Sequence, residues 1–201
     1  VKWMMQNKRY FSLSLVLIIV ISSVNYVISI PGNHVPINLS YVVFASYNGG
    51  NGSVSNPYQI SNVSQLQNMS VNLSAHYILI NDIDASETRN WNGGKGFDPI
   101  GNSTAGFKGI LDGQNHSISG IFINRSNERH IGLFARAEGS AVVTNLTLIS
   151  SNVVGDRYVG SLIGYNHGNI TNCHASGVVN GSFLSGGIIG LNSNGNITGC
   201  T

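Results

Sequence analysis

Val159-Gly-Ser-Leu-Ile-Gly-Tyr-Asn166 returns further along the chain as Ser185-Gly-Gly-Ile-Ile-Gly-Leu-Asn192. After each copy, Asn169-Ile-Thr-Asn-Cys173 matches Asn196-Ile-Thr-Gly-Cys200, which sets the two cysteines 27 residues apart. A looser copy begins at Ile131-Gly-Leu-Phe-Ala135, and Val143-Thr-Asn-Leu146 stands where Ile170-Thr-Asn-Cys173 stands in the next copy, again at an offset of 27. Self-similarity at a fixed period of this size marks a stacked repeat. Within each unit the apolar residues come in short runs, such as Val142-Val143, Val153-Val154, Leu162-Ile163 and Ile188-Ile189, each soon broken by Gly, Asn or Ser. No stretch after the first thirty residues sustains a helical period over ten or more residues, whereas short β-branched runs bounded by Gly and Asn read as strands. Three strands and three corners per unit predict one turn of a parallel β-helix, whose turns stack at about 4.8 Å and bury one face.

The recurring small and amide residues fit that expectation. Gly160, Gly164, Gly186, Gly187 and Gly190 are placed where the chain bends or where a Cβ would crowd the next coil. Asn166 and Asn192 occupy equivalent positions, and Asn amides can hydrogen-bond from coil to coil, so the pair predicts a structural ladder. Cys173 and Cys200 are likewise equivalent. Stacking brings their Cα atoms near 5 Å, within disulfide range, but parallel in-register side chains do not reach the preferred Cβ separation without adjustment. The pair is read as stacked or disulfide-linked, with the unbridged form favoured.

Working outward, residues 1–29 read as a signal peptide: Lys2, Lys8 and Arg9 precede the apolar run Phe11–Ile21, and small residues follow. The alternative is an uncleaved membrane anchor, since the apolar stretch approaches the roughly 20 residues needed to span a bilayer. Residues 30–44 then form a linker, 45–130 the first β-helix coils and cap, and 131–201 the repeats. The last repeat stops just after its cysteine, which predicts a fragment of a longer protein, or an edge coil that pairs with missing sequence or another chain. With the leader removed, seven basic residues face eight acidic ones. No basic field remains for nucleic acid, and a membrane contact would run only through an uncleaved leader. Asn, Ser and Gly together exceed a third of the chain, as expected of a fold with many tight turns. Twelve asparagines open an Asn-x-Ser/Thr sequon. Of these, Asn102, Asn115, Asn124, Asn145, Asn169, Asn180 and Asn196 are candidate glycan acceptors in an exported chain.

The motifs Gly160-Ser-Leu-Ile-Gly164, Gly186-Gly-Ile-Ile-Gly190 and Ile131-Gly-Leu-Phe-Ala135 resemble the GLUG repeat of bacterial and archaeal surface proteins, including adhesin-like and haemagglutinin-like β-helices. The upstream segments Asn56-Pro-Tyr-Gln-Ile60, Tyr77–Asp84, Trp91–Gly101 and Phe107–Gly113 are similar to the coils that precede such repeats, so the resemblance covers about 45–201. It implies an all-β, right-handed parallel β-helix (β-solenoid) at the cell surface, extracellular, with host or envelope glycans and proteins as partners. It implies no particular activity, because a fold does not carry a function.

Candidate chemistry is sparse. Asp82 and Asp84 alternate along Tyr77–Asp84 and so share the outer face of one expected strand, with Asp98 and Asp112 on neighbouring coils. Four carboxylates so placed are weak Ca²⁺ candidates and could serve acid–base cleavage of a polysaccharide; turn and corner hydrogen bonding is the default reading. No other cofactor is expected. Trp91, in the Gly-rich segment 90–96, either stacks on a sugar ring or folds over the helix end as a lid. The six histidines show no metal-ligand spacing. The reading is a non-enzymatic exported protein with an adhesion, binding or display role. A secreted carbohydrate-active enzyme and a purely structural envelope component are the alternatives.

Overall fold

The computed structural model of the protein describes residues 46–201 in full, together with the backbone of 26–30 and 33–37. The chain divides into two compact units, 1–43 and 44–201. In the first, strands β1 (Tyr26–Ile30) and β2 (Asn33–Ile37) pair antiparallel, with Tyr26 opposite Ile37. Residues 1–25 of the leader assigned above, with its whole apolar run, lie outside the described residues; β1 covers the leader's last residues and β2 falls within the segment 30–44 read as a linker. Among the described residues, no helix is long and apolar enough to cross a membrane.

The second unit is a parallel β-solenoid. Strand β3 (Tyr58–Ile60) leads through helix α1 (Val63–Asn68) to β4 (His76–Leu79) and β5 (Ile83–Asp84). The next coil carries β6 (Ile110–Asp112), β7 (Ser117–Ser119), β8 (Phe122–Asn124), β9 (Arg129–Ile131) and β10 (Phe134–Ala137). Two fuller coils follow, β11 (Val142–Gly160) with β12 (Ile163–Asn166), and β13 (Asn169–Gly186) with β14 (Ile189–Asn192); β15 (Asn196–Thr198) begins another. From β3 to β15, the pairings between these strands are parallel, and an isolated antiparallel bridge joins Gly96 to Ile123. Val143 lies beside Ile170 and Ile170 beside Ile197, the offset of 27 read from the repeats. Beyond Leu148 the offset drops to 26, because Ile149 and Ser150 together face a single residue of β13 and form a bulge.

A strand of 19 residues cannot run straight in so narrow a body. Strand β11 bends through single residues in the left-handed region, Asn145 (φ 53°), Ser150 (φ 54°) and Tyr158 (φ 58°), which turn the chain while its hydrogen-bond ladder to β13 continues. Together with the break before β12, the coil turns at more places than the three expected corners. The segment Tyr77–Asp84 also departs from expectation: it is not one strand, because the chain turns at residues 80–82 between β4 and β5.

The interior is a set of columns that run along the stack. Tyr58, Tyr77, Leu111, Val143, Ile170 and Ile197 occupy one register position in successive coils. The four middle members are buried, and each side chain removed from water stabilises the fold by roughly 1.5–3 kcal/mol. The first end of the column is covered by α1, which packs Val63 and Leu66 into the same core, and by the 3-10 turn after it, which adds Met69. That helix begins where the Asn62 side chain accepts the Gln65 backbone N–H at 2.9 Å, an N-cap that satisfies one orphan donor of the first turn. Toward the other end, Val178, Phe183, Leu184 and Ile197 are exposed, and a cavity of about 300 Å³ opens among Ser161, Ala175, Val179 and Gly187. Two buried hydroxyls beside it, Ser151 and Ser161, bond each other at 3.1 Å.

The repeated glycines now have a steric cause. A Cβ on Gly164 would lie 2.6 Å from the His130 and Ile131 backbone, and one on Gly190 would lie 2.4 Å from the Val159 nitrogen. The preceding coil therefore crosses directly over the second glycine of the motif. Ala135 takes the equivalent position, beside Gly164 in the register of β10 and β12, and is buried there with its methyl group accommodated. Gly187 does not fit the crowding expected of it: a Cβ would meet nothing within 4 Å, and Ser161 occupies the same place one coil earlier.

Candidate functional site

The four carboxylates singled out from the sequence hold separate partners. Asp82 Oδ1 accepts the Ser117 N–H of the next coil at 2.8 Å and lies 3.3 Å from His116 Nδ1. The Ser117 backbone bond, more than the His116 contact, holds the Asp82 carboxyl below its ordinary range. Asp84 accepts the Ser86 N–H at 2.9 Å, which lowers its carboxyl as well. Asp98 pairs with Arg125 at 2.9 Å. Asp112 accepts the Gln114 N–H at 2.9 Å and the Asn145 amide at 3.0 Å. Each acid thus fastens a turn or a neighbouring coil. Among the described residues, no three His, Cys, Asp or Glu side chains converge on one point.

Trp91 is half-buried, stacks on Phe97 at 6.4 Å between ring centroids and packs against the core. The two cysteines are free thiols. Burial pushes the Cys173 thiol up to about 11, with a smaller contribution from Cys200 beside it. Cys173 Sγ points to the Thr171 carbonyl at 3.4 Å, and Cys200 Sγ repeats the contact to the Thr198 carbonyl at 3.5 Å.

The candidate acceptors fall into two groups. Asn124, Asn169, Asn180 and Asn196 lie on strands with exposed side chains, and Asn102 and Asn115 sit in exposed turns. Asn102 Oδ1 accepts two backbone N–H groups, from Thr104 and Ala105. Asn145 differs. It is half-buried at a left-handed corner, its amide donates to Asp112, and its oxygen accepts the Asn172 amide at 3.4 Å. A second asparagine ladder therefore runs along this corner, beside the expected one at Asn166 and Asn192.

The largest feature missed in the sequence is a stripe of rings and guanidinium groups across the three coils of β9 to β14. Tyr158 and Tyr165 meet edge to face at 5.6 Å, and His130 lies 5.0 Å from Tyr158 and 5.7 Å from Tyr165. His167 closes on Tyr165 at 4.7 Å. Arg136 sits 5.3 Å from the Tyr165 ring, and Arg157 sits 4.6 Å from Phe183 and 6.0 Å from Tyr158. Arg136 pairs with Glu138 at 3.0 Å and Arg129 with Asp156 at 3.8 Å. Burial first, then Arg136 and Arg129, hold the His130 imidazole below its ordinary value. The signal was present in the repeats. Arg129-His-Ile-Gly132 and Arg157-Tyr-Val-Gly160 match at an offset of 28, so the first two glycine motifs are each preceded by an arginine and an aromatic ring, and Phe183 takes the arginine's place before the third.

The described residues 46–201 form a parallel β-solenoid with a crowded glycine corner. Residues 155–180 match the family model described as "The GLUG motif", so the chain carries that motif there. It is similar to halomucin of Haloquadratum walsbyi, with 40% identity over 147 residues, 70% of this chain and 2% of halomucin. It is also similar to the "Putative Gly-rich membrane protein" of Evansella cellulosilytica, with 36% identity over 129 residues, 62% of this chain and 15% of that protein. The chain thus spans a small part of the length of these curated relatives. A solved structure titled as a putative immunoglobulin A1 protease from Bacteroides ovatus aligns with a TM-score of 0.42 at 18% identity, covering 76% of this chain and 67% of that one. A likeness of that size is too loose to bear on function.

Proposed function

We infer that the chain belongs to an exported cell-surface protein whose β-helix, right-handed as parallel crossovers overwhelmingly are, has a non-enzymatic binding or display role. The observation that carries the reading is the GLUG repeat on a chain that is 36% identical, over 129 residues, to a protein named as a membrane protein. The solvent-facing asparagines Asn124, Asn169, Asn180 and Asn196 are suited to carry glycans in a host that makes them. The carboxylates argue against catalysis and against Ca²⁺, because each is already committed to a backbone donor or an ion pair. No cofactor is part of the reading. After Arg157 the chain has no Asp, Glu, Lys or Arg, so β14 and the part of β13 that β15 does not cover have none of the charges that discourage strand addition. It suits pairing with a further coil or another chain.

Labelling tests the location. Intact cells that make the full protein are treated with a membrane-impermeant amine reagent, and the exposed Lys95 and Lys108 are followed by mass spectrometry. The reading expects both lysines to be modified before lysis. Modification only after lysis overturns it.

A further inference from the structure

We propose that the stripe formed by Arg157, Tyr158, Tyr165 and Phe183 binds an anionic polysaccharide, one that carries carboxylate or sulfate groups along a chain of sugar rings. The inference rests on the surface-binding reading and names its ligand class. Its first support is the pairing of rings with unspent charge. Arg136 and Arg129 each have a carboxylate partner, whereas Arg157, among the described residues, has none within ion-pair distance, and its Nε is buried without a hydrogen-bond partner. Its guanidinium carbon lies 4.6 Å from the Phe183 ring centroid and 6.0 Å from that of Tyr158. A planar fork beside two rings suits the oxygens of a carboxylate or sulfate.

The rings supply the second support. Phe183 is 52% exposed, and Tyr158, Tyr165, His130 and His167 are each half-buried. They keep apolar surface available for the C–H face of a sugar while their edges are fixed by contact with one another. Their order along the stack supplies the third. Arg129, Arg157 and Phe183 share one register position in successive coils, and His130 and Tyr158 follow them, so similar groups repeat at the strand spacing of about 4.8 Å. A ligand that itself repeats can meet several rungs at once. His130 (φ 61°) and Tyr158 (φ 58°) sit in the left-handed region, which bulky side chains rarely adopt and which costs on the order of 1–3 kcal/mol per residue. Both rings stand at corners where Gly or Asn would sit without strain. Neutral glycans and acidic peptides fit less well: the first leave Arg157 unused, and the second do not match the ring spacing.

The test is direct binding of the full chain to polygalacturonate and to dextran sulfate, with unmodified dextran as the neutral control, by calorimetry at low and moderate salt. Binding to at least one polyanion and not to dextran is expected, and the two polyanions distinguish carboxylate from sulfate recognition. Arg157→Gln should weaken binding by about tenfold or more, as loss of a charge-assisted bond does, and Tyr165→Ala should weaken it similarly. If Tyr165→Ala unfolds the chain, Phe183→Ser at an exposed ring takes its place and should reduce affinity without changing the circular dichroism spectrum. No binding to either polyanion, equal binding to dextran, or unchanged affinity in Arg157→Gln overturns the proposal. If Lys95 and Lys108 are labelled on intact cells but no polyanion binds, this inference fails while the surface reading stands.

Discussion

The Asn166 side-chain amide donates to Asn192 Oδ1 at 2.8 Å, joining the same position of two successive coils. Asn166 is fully buried. It also donates to the Gly168 carbonyl at 3.2 Å and accepts the Gly168 N–H at 3.0 Å, so one side chain both closes the turn after β12 and ties it to the next coil. Replacing it leaves buried donors and acceptors unmatched. Asn166→Leu should cost about 2–4 kcal/mol, read as a fall in the urea midpoint. Asn192→Ala, at an exposed position, should cost less than half as much. Equal losses would mean that the ladder does not depend on burial.

The glycine positions make a sharper comparison. Gly164→Ala places a methyl group against the His130–Ile131 backbone, and backbone cannot swing aside as a flexible side chain can. The loss should be about 2 kcal/mol or more. Gly187→Ala, with open space at its Cβ, should change stability by less than about 0.5 kcal/mol. Denaturation midpoints for the two variants check the contrast, and similar values would contradict the account of the motif.

Much of this architecture was legible in the repeats. The offset of 27 between Cys173 and Cys200 is the register of β13 and β15, and the paired asparagines marked a true ladder. The corners were harder to read, because the left-handed positions are filled by Asn145, Ser150, Tyr158, His130 and Leu184 alike. Only the first of these types commonly adopts that conformation. Tyr77–Asp84 looked like one alternating strand because Leu79 and Ile83 are both buried, yet they point inward from two segments on either side of a turn. The ring stripe is hard to read because its members are scattered in sequence and several lie just upstream of the repeated glycine segments.

The two thiols should react unequally. Burial holds the Cys173 thiol up at about 11, so little thiolate forms near neutrality. Cys200 is half-exposed. Iodoacetamide applied to the folded, reduced protein should alkylate Cys200 and spare Cys173, as peptide mass spectrometry would show. Equal alkylation would contradict the burial of Cys173.

His130 makes stability depend on pH in a defined direction. Its folded-state value is depressed, so the unfolded chain takes up the proton first as pH falls. Its contribution is fully present above about pH 6.5 and is lost as pH drops toward the folded-state value. In His130→Gln the unfolding free energy should fall less steeply between about pH 7 and 5 than in the parent. An unchanged slope would remove His130 from the account.

The central claim, that this solenoid stands outside the cell with its asparagine-bearing strands facing solvent, is tested most directly by protease treatment of intact cells making the full protein, followed by mass spectrometry of the released peptides. The account predicts release of peptides from residues 46–201, with carbohydrate on Asn169 or Asn196 and none on Asn145, whose amide is held by Asp112. Peptides that appear only after lysis would contradict the surface location, and carbohydrate on Asn145 would contradict the corner ladder.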